Sequence, residues 1–158
     1  DWGILKDESN PVARANVCPD FDKPEEPSFH AFTHTLEQPN TGPTFVISGS
    51  GEAPEGKGGY QDHIVARNDM SAKGLMEKAE WVLGEMERRL SAFGADWEDT
   101  TAVQVYTVHD IHHLLVRKFA PRGILRNGFV WHHNRPPVLG LEYEMDCRCV
   151  LTERILGV

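Results

Sequence analysis

The sequence predicts a single α+β domain in which one long amphipathic helix and one shorter helix cover one face of a small mixed β-sheet. Three observations carry this. Apolar residues recur at helical spacing through Ala79, Val82, Leu83, Met86, Leu90 and Phe93, which is one buried stripe of a long helix. The segments FVISGSG, TAVQVYTV, GFVWHH and LEYEMDCRCVL combine β-branched and aromatic residues with alternation or turn residues at their ends, and so read as strands. A length of 158 residues at 40% hydrophobic content supplies one sizeable core and leaves no comfortable room for two.

In chain order, residues 1–28 form an irregular N-terminal arm, because NPVAR and CPDFDKPEEP set prolines among acidic residues without periodicity. Residues 29–158 form the single domain. Alternation in SFHAFTHTL over 28–36 predicts a first strand, and PTFVISGSG over 43–51 a second that ends in a glycine-rich break. EAPEGKGGYQ is loop. Ser71 is the N-cap of the long helix and Gly94 its C-cap. A strand over 101–108 precedes a second helix over 110–119, which Pro121 ends. The remainder returns to strands at GFVWHH and at GLEYEMDCRCVL.

Composition excludes several classes of function. With 16 basic against 24 acidic residues, a net charge of −8 offers no electrostatic hold on nucleic acid. No apolar run has the length of a membrane span, and DWGILKDESN lacks the basic and apolar regions of a signal peptide, so a membrane is not an expected partner. Cys18, Cys147 and Cys149 are odd in number, and the last two share one side of a strand; free thiols in a reducing, cytoplasmic compartment follow. There is no Walker motif, no dinucleotide-binding glycine fingerprint and no nucleophile elbow.

The segment AEWVLGEMERRLSAFGADWEDTTAVQVYTVHDIHHL resembles the central block of the RidA/YjgF family of enamine and imine deaminases. In that family a helix ends in glycine, an acidic turn follows, and a V-x-V-Y/F strand closes on an Asp before a second helix. FVISGSG is similar to the family strand that ends in Ser-Gly, and LEYEMDCRCVL to its last strand with two glutamates one residue apart. The likeness spans roughly residues 43–151. It implies a chorismate-mutase-like, YjgF-type fold assembled as a homotrimer, with sites in the clefts between subunits and no cofactor. Family deaminases hold the substrate carboxylate with an Arg in P-x-R-x-x-V. Here that stretch is RNGFVWHHNRPPVLG, with Arg126 before the strand and Arg135 after it.

Alternation along the last strand puts Leu141, Tyr143, Met145, Cys147 and Cys149 on one face and Glu142, Glu144, Asp146 and Arg148 on the other. The apolar face meets the helices. Glu144 matches the family's catalytic glutamate, and a desolvated carboxyl there can position water and move protons; a solvated face paired to Arg148 is the plainer reading. Arg126 and Arg135 are the two candidates for a carboxylate clamp, since a guanidinium fork binds both oxygens at once. Trp131 can stack on a flat substrate, and His132 or His133, adjacent and so on opposite faces, can reach the cleft. Ser48 and the glycines beside it offer backbone N–H groups to an anion, although a plain turn explains them as well. His109, His112, His113, His132 and His133 do not follow a zinc spacing, and no metal is expected.

These readings converge on a cofactor-free hydrolytic deaminase of a small carboxylated enamine or imine. The WHH and RPP departures point to an aminomuconate-like product of ring cleavage. Two alternatives stand beside it: a non-catalytic ligand-binding or regulatory trimer on the same fold, and an enzyme on the related chorismate-mutase-like scaffold that binds a dicarboxylate with cationic side chains.

Overall fold

The computed structural model of the chain describes residues 12–39 and 42–156. A two-residue strand β1 (Cys18–Pro19) is followed by β2 (Phe45–Gly51), a one-turn helix α1 (Tyr60–His63) and the long helix α2 (Ala72–Ala92). Next come β3 (Ala102–Tyr106), a short helix α3 (His112–Leu114), β4 (Val130–His132), β5 (Asn134–Arg135) and β6 (Glu144–Cys149). The main sheet has four strands in the order β2-β6-β3-β4. β6 pairs antiparallel with both β2 and β3, whereas β3 and β4 are parallel and joined by the helical crossover. The sheet is therefore mixed, as expected.

α2 forms where the apolar period predicts it. Ser71 caps its start, accepting a hydrogen bond from the Gly74 N–H at 3.2 Å, and the stripe Leu75, Ala79, Val82, Leu83, Met86 and Leu90 is buried. Gly94, at φ +68°, turns the chain out of the helix, a conformation that costs glycine little. The stripe packs on Phe45 and Ile47 of β2, Val103 and Val105 of β3, and Met145 and Cys147 of β6 with Tyr143 just before it. All three cysteines are free thiols.

Two expectations are corrected. Residues 28–36 form no strand: the segment is exposed, with Phe29 93% and Phe32 79% accessible. Phe29 and Phe32 are three apart and cannot share one face of a strand, so the segment has no apolar face to pack on a sheet. The second helix also does not stop before Pro121. Its α-helical turn loosens into a π-helical turn over Leu115–Phe119, then tightens into a 3₁₀ turn, Ala120–Arg122, that includes Pro121. Proline is tolerated in a first turn, where its missing N–H removes no bond, and Gly123 at φ +76° ends the run. Arg122 fixes this segment to α2 through Glu87 (2.7 Å) and Glu80 (2.9 Å), with Lys118 on Glu80 at 2.7 Å.

Leu83 is fully buried between α2 and the sheet. Leu83→Ala lowers the unfolding free energy by about 2–5 kcal/mol in a denaturant titration, from lost transfer energy and the cavity left behind.

Candidate functional site

β6 is hydrogen-bonded on both sides, so its outward residues lie in the middle of the sheet face away from α2. Glu144 stands opposite Gly51 of β2 and Tyr106 of β3. Its carboxyl lies against the backbone of Gly49, at the bulge where the β2 register shifts between Ile47 and Ser50. A Cβ at Gly49 would overlap Glu144 Oε1, so glycine is what leaves room for the acid. The arm crosses here as well: Gly49 N–H donates to the Arg14 carbonyl at 3.0 Å.

Glu144 is 5% exposed, and among the described residues nothing hydrogen-bonds to its carboxyl. Burial pushes its pKa up to about 8, with Asp146, Glu52 and Glu55 adding to the rise and Arg89 opposing it. Asp146 is raised too, first by burial, and partly restored by Tyr106 and Arg148. Tyr106 Oη donates to Asp146 Oδ2 at 2.7 Å, and burial with the Asp146 charge keeps this phenol protonated. Gln104 continues the chain, its amide nitrogen meeting Tyr106 Oη while its oxygen accepts from Arg148 at 2.9 Å. The face thus holds one proton-bearing carboxyl with no donor among the described residues beside Asp146, whose partners are fixed.

His132 stacks on Tyr106 with centroids 5.1 Å apart and planes 16° apart, which puts it on the Glu144 face. Burial, with His30 and Arg148 nearby, lowers its pKa, and its buried Nε2 has no hydrogen-bond partner. The other residues expected from the sequence are distributed around this centre. Trp131 points to the helix side, its Nε1 donating to the Thr107 carbonyl at 2.9 Å and its ring meeting His112 edge-on. His133 follows the strand and stacks on Phe21. Ser48 is at the bulge, its carbonyl accepting from Arg89 Nη1 at 3.0 Å. Arg135 reaches Asp20 at 3.2 Å and Glu142 at 3.5 Å, and Glu142 also contacts His109 Nε2 at 2.7 Å. Arg126 is exposed and approaches Glu98 at 3.7 Å, just before β3 begins, whereas Glu144 pairs with the last residue of β3. The structure therefore puts His132 on the Glu144 face and Arg135 against Glu142, two residues before Glu144, but does not bring Arg126 or Trp131 to that face.

Tyr106, Asp146 and Arg89 are not singled out as site residues by the sequence; Gly49 is expected there to offer its N–H to an anion, and in the structure that N–H donates to the Arg14 carbonyl. Asp146 and Tyr106 had a signal in the alternation of their strands. Arg89 reaches the bulge from the far helix and had none. Among the described residues, no group of three or more His, Cys, Asp or Glu is placed to hold a metal ion. No helix there is long and apolar enough to cross a membrane. A concavity of about 500 Å³, lined by Val65, Glu77, Glu80, Trp81, Gly84 and Glu85, lies along α2 and includes no residue of the Glu144 face.

The structure is an α+β domain that keeps a desolvated carboxyl on the sheet face opposite its long helix. The chain belongs to the family of 2-aminomuconate deaminase CnbZ, whose model matches residues 1–154. It is 48% identical over 157 residues to a 2-amino-5-chloromuconate deaminase of Comamonas testosteroni; the match takes in 98% of this chain and 62% of the relative's length. The chain thus spans under two thirds of that relative. A Thermotoga maritima protein described as a candidate endoribonuclease has the same fold, with TM-score 0.50 at 19% identity over 72% of this chain and 84% of its own. A Rid-family protein from Yersinia pestis matches with TM-score 0.49 at 19% identity, over 75% and 86% of the two chains. The aminomuconate-deaminase-like resemblance drawn from the sequence is borne out by the family match.

The raised pKa of Glu144 carries a sign for stability. A carboxyl that titrates at about 8 when folded and near 4.5 when unfolded binds its proton more tightly in the fold. Its contribution is fully present below about pH 4.5 and is lost as pH rises through about 8. Glu144→Gln has no proton to lose, so its stability relative to wild type rises between about pH 5 and about pH 9. Denaturant unfolding at both pH values checks this, and an unchanged difference contradicts it.

Proposed function

We propose that the chain is a cofactor-free hydrolytic deaminase of a small carboxylated enamine or imine of the aminomuconate type, working as a homotrimer. The observation that carries this is Glu144: a buried, unpartnered carboxyl on the open sheet face of a chain in the CnbZ family. The relative's name, 2-amino-5-chloromuconate deaminase, supports the substrate class. No observation favours a non-catalytic ligand-binding trimer.

The raised pKa orders the steps. Near neutral pH Glu144 holds a proton and can give it to the enamine carbon, which converts the C=C–NH₂ unit to an iminium. The carboxylate so formed takes a proton from water as its oxygen adds to the C=N carbon. Returned to nitrogen, that proton makes ammonia the leaving group, and as the C–N bond breaks the carbinolamine hydroxyl gives its proton back to Glu144, leaving a ketone, ammonia and the restored acid. Asp146 and Tyr106, already bonded to each other, shape the face without competing for the proton. Arg135, with the stiff Pro136–Pro137 pair behind it, is the better-placed arginine within one chain to hold a carboxylate; Arg126 reaches a substrate only from another direction. His132 offers an unpartnered Nε2 as a further contact.

Three features support assembly. Among the described residues no second helix or sheet layer packs on the Glu144 face, which the arm crosses only at Gly49, Phe29, Phe32 and Leu36 are strongly exposed, and the α2 concavity is elsewhere. In this reading residues 29–158 carry the chemistry with 1–28 as an accessory arm, and the free thiols fit a cytoplasmic setting.

Glu144→Gln lowers ammonia release from enzymatically generated 2-aminomuconate by about 10²–10⁴-fold while calorimetric binding of a stable carboxylate analogue persists. Arg135→Lys or Arg126→Lys weakens that binding instead. Wild-type turnover by Glu144→Gln contradicts the proton-transfer role.

Sedimentation at micromolar concentration gives a trimer. A monomer there contradicts a site built between subunits.

A further inference from the structure

The interior of the domain holds an ion pair that the core does not need for packing. Glu52, directly after β2, and Lys78, in the buried stripe of α2, are both 0% exposed, and Lys78 Nζ lies 3.2 Å from Glu52 Oε1. Lys78 also donates to the Val65 carbonyl at 2.9 Å. Buried pairs of this kind are weak sources of stability, because desolvation cancels most of the attraction and apolar residues often serve as well. Position is what this one supplies.

Both oxygens of Glu52 accept from backbone: Oε1 from the Glu142 N–H at 2.7 Å and Oε2 from the Tyr143 N–H at 3.1 Å. These are the two residues immediately before Glu144. Gly51, the neighbour of Glu52 in the chain, is the residue opposite Glu144 in the sheet. The carboxylate therefore bridges the end of β2 to the start of β6, and the Lys78 ammonium ties that bridge to α2.

We propose that Glu52, held by Lys78, is a positioning residue for the reaction, fixing the start of β6 so that the Glu144 carboxyl lies at Gly49 and the Glu142 carboxyl lies toward Arg135. The inference rests on the reading of Glu144 as the proton-transfer group. The Glu52 carboxylate also brings a charge, which burial disfavours and which the Glu142 and Tyr143 N–H groups and Lys78 stabilise. The charged and titratable groups around Glu144 are Asp146 and Arg148 on its own strand, Tyr106 on β3, His132 on β4, Arg89 on α2, and Glu52 and Glu55 beyond β2; the charges of Asp146, Glu52 and Glu55 favour the Glu144 proton. An amide at position 52 keeps the shape, loses that charge, and turns an N–H₂ group toward a backbone donor or the ammonium. An aspartate keeps the charge but draws it back from the two N–H groups.

The test uses the full chain as wild type, Glu52→Gln, Glu52→Asp and Glu144→Gln, with thermal unfolding of each and steady-state ammonia release from enzymatically generated 2-aminomuconate across pH. Glu52→Gln is expected to lower kcat by about 10–100-fold with KM changed by less than about threefold, and to move the alkaline fall of kcat/KM to lower pH. Glu52→Asp is expected to lower kcat and leave that fall where it is in wild type. A structural role alone lowers the melting temperature of both variants while kcat and the pH profile stay at wild type, and that result overturns the proposal. If Glu52→Gln does not fold, Glu52→Asp decides: wild-type kcat overturns it, reduced kcat with unchanged KM supports it. Turnover by Glu144→Gln at the wild-type rate removes the underlying reading instead, whatever the Glu52 variants do.

Discussion

β6 is the only strand of the main sheet described here that has hydrogen-bonded neighbours on both sides and touches α2 with one face while presenting acids on the other. With a side-chain period of two, Met145 and Cys147 can enter the core only if Glu144, Asp146 and Arg148 point the opposite way. A slip of one residue would bury three charges in the core and expose the apolar set. The register that builds the core therefore also builds the site, and anything that pins that register pins both. The Glu52 carboxylate on the N–H groups of Glu142 and Tyr143 is one such pin; the bulge of β2 beside Gly49 is another.

The electrostatics follow from that placement. Two acids two residues apart on a desolvated face cannot be treated alike: Asp146 has Tyr106 and Arg148 to hold its charge, whereas Glu144 has no donor and keeps its proton. Arg89 lowers the Glu144 pKa, but its guanidinium is shared with Glu85, Glu55 and the Ser48 carbonyl, so burial and the neighbouring acids outweigh it. The division of labour between the two carboxyls arises from their partners and from the deeper burial of Glu144 on the same strand face.

Much of this was legible in the chain itself. Ser71, Gly94 and the stripe between them announce α2, and alternation in LEYEMDCRC sorts β6 into its two faces. The missed features are of a different kind. The pattern over 28–36 puts Phe29 and Phe32 on opposite faces, so it offers no apolar face to pack on a sheet. Pro121 was taken as a helix stop because its place inside a 3₁₀ turn depends on the π-helical turn before it and on Arg122 reaching Glu80 and Glu87. Arg89, Tyr106 and Gly49 meet at Glu144 from three separate elements, a convergence that no single segment spells out. Lys78 did leave a trace: a lysine in an otherwise apolar helical stripe implies a buried partner, but nothing in the sequence said it was Glu52.

The central claim is that Glu144 retains its proton near neutral pH because burial and the neighbouring acids disfavour the carboxylate and no described side chain or backbone group donates to it. Infrared titration of the protonated-carboxyl stretch, taken as the difference between wild type and Glu144→Gln, isolates this one group from the other buried acids. The account predicts a band in that difference that disappears with a midpoint of about 8. A midpoint near the ordinary value of 4.5 would contradict it, leaving Glu144 an ionised surface acid with no proton to give.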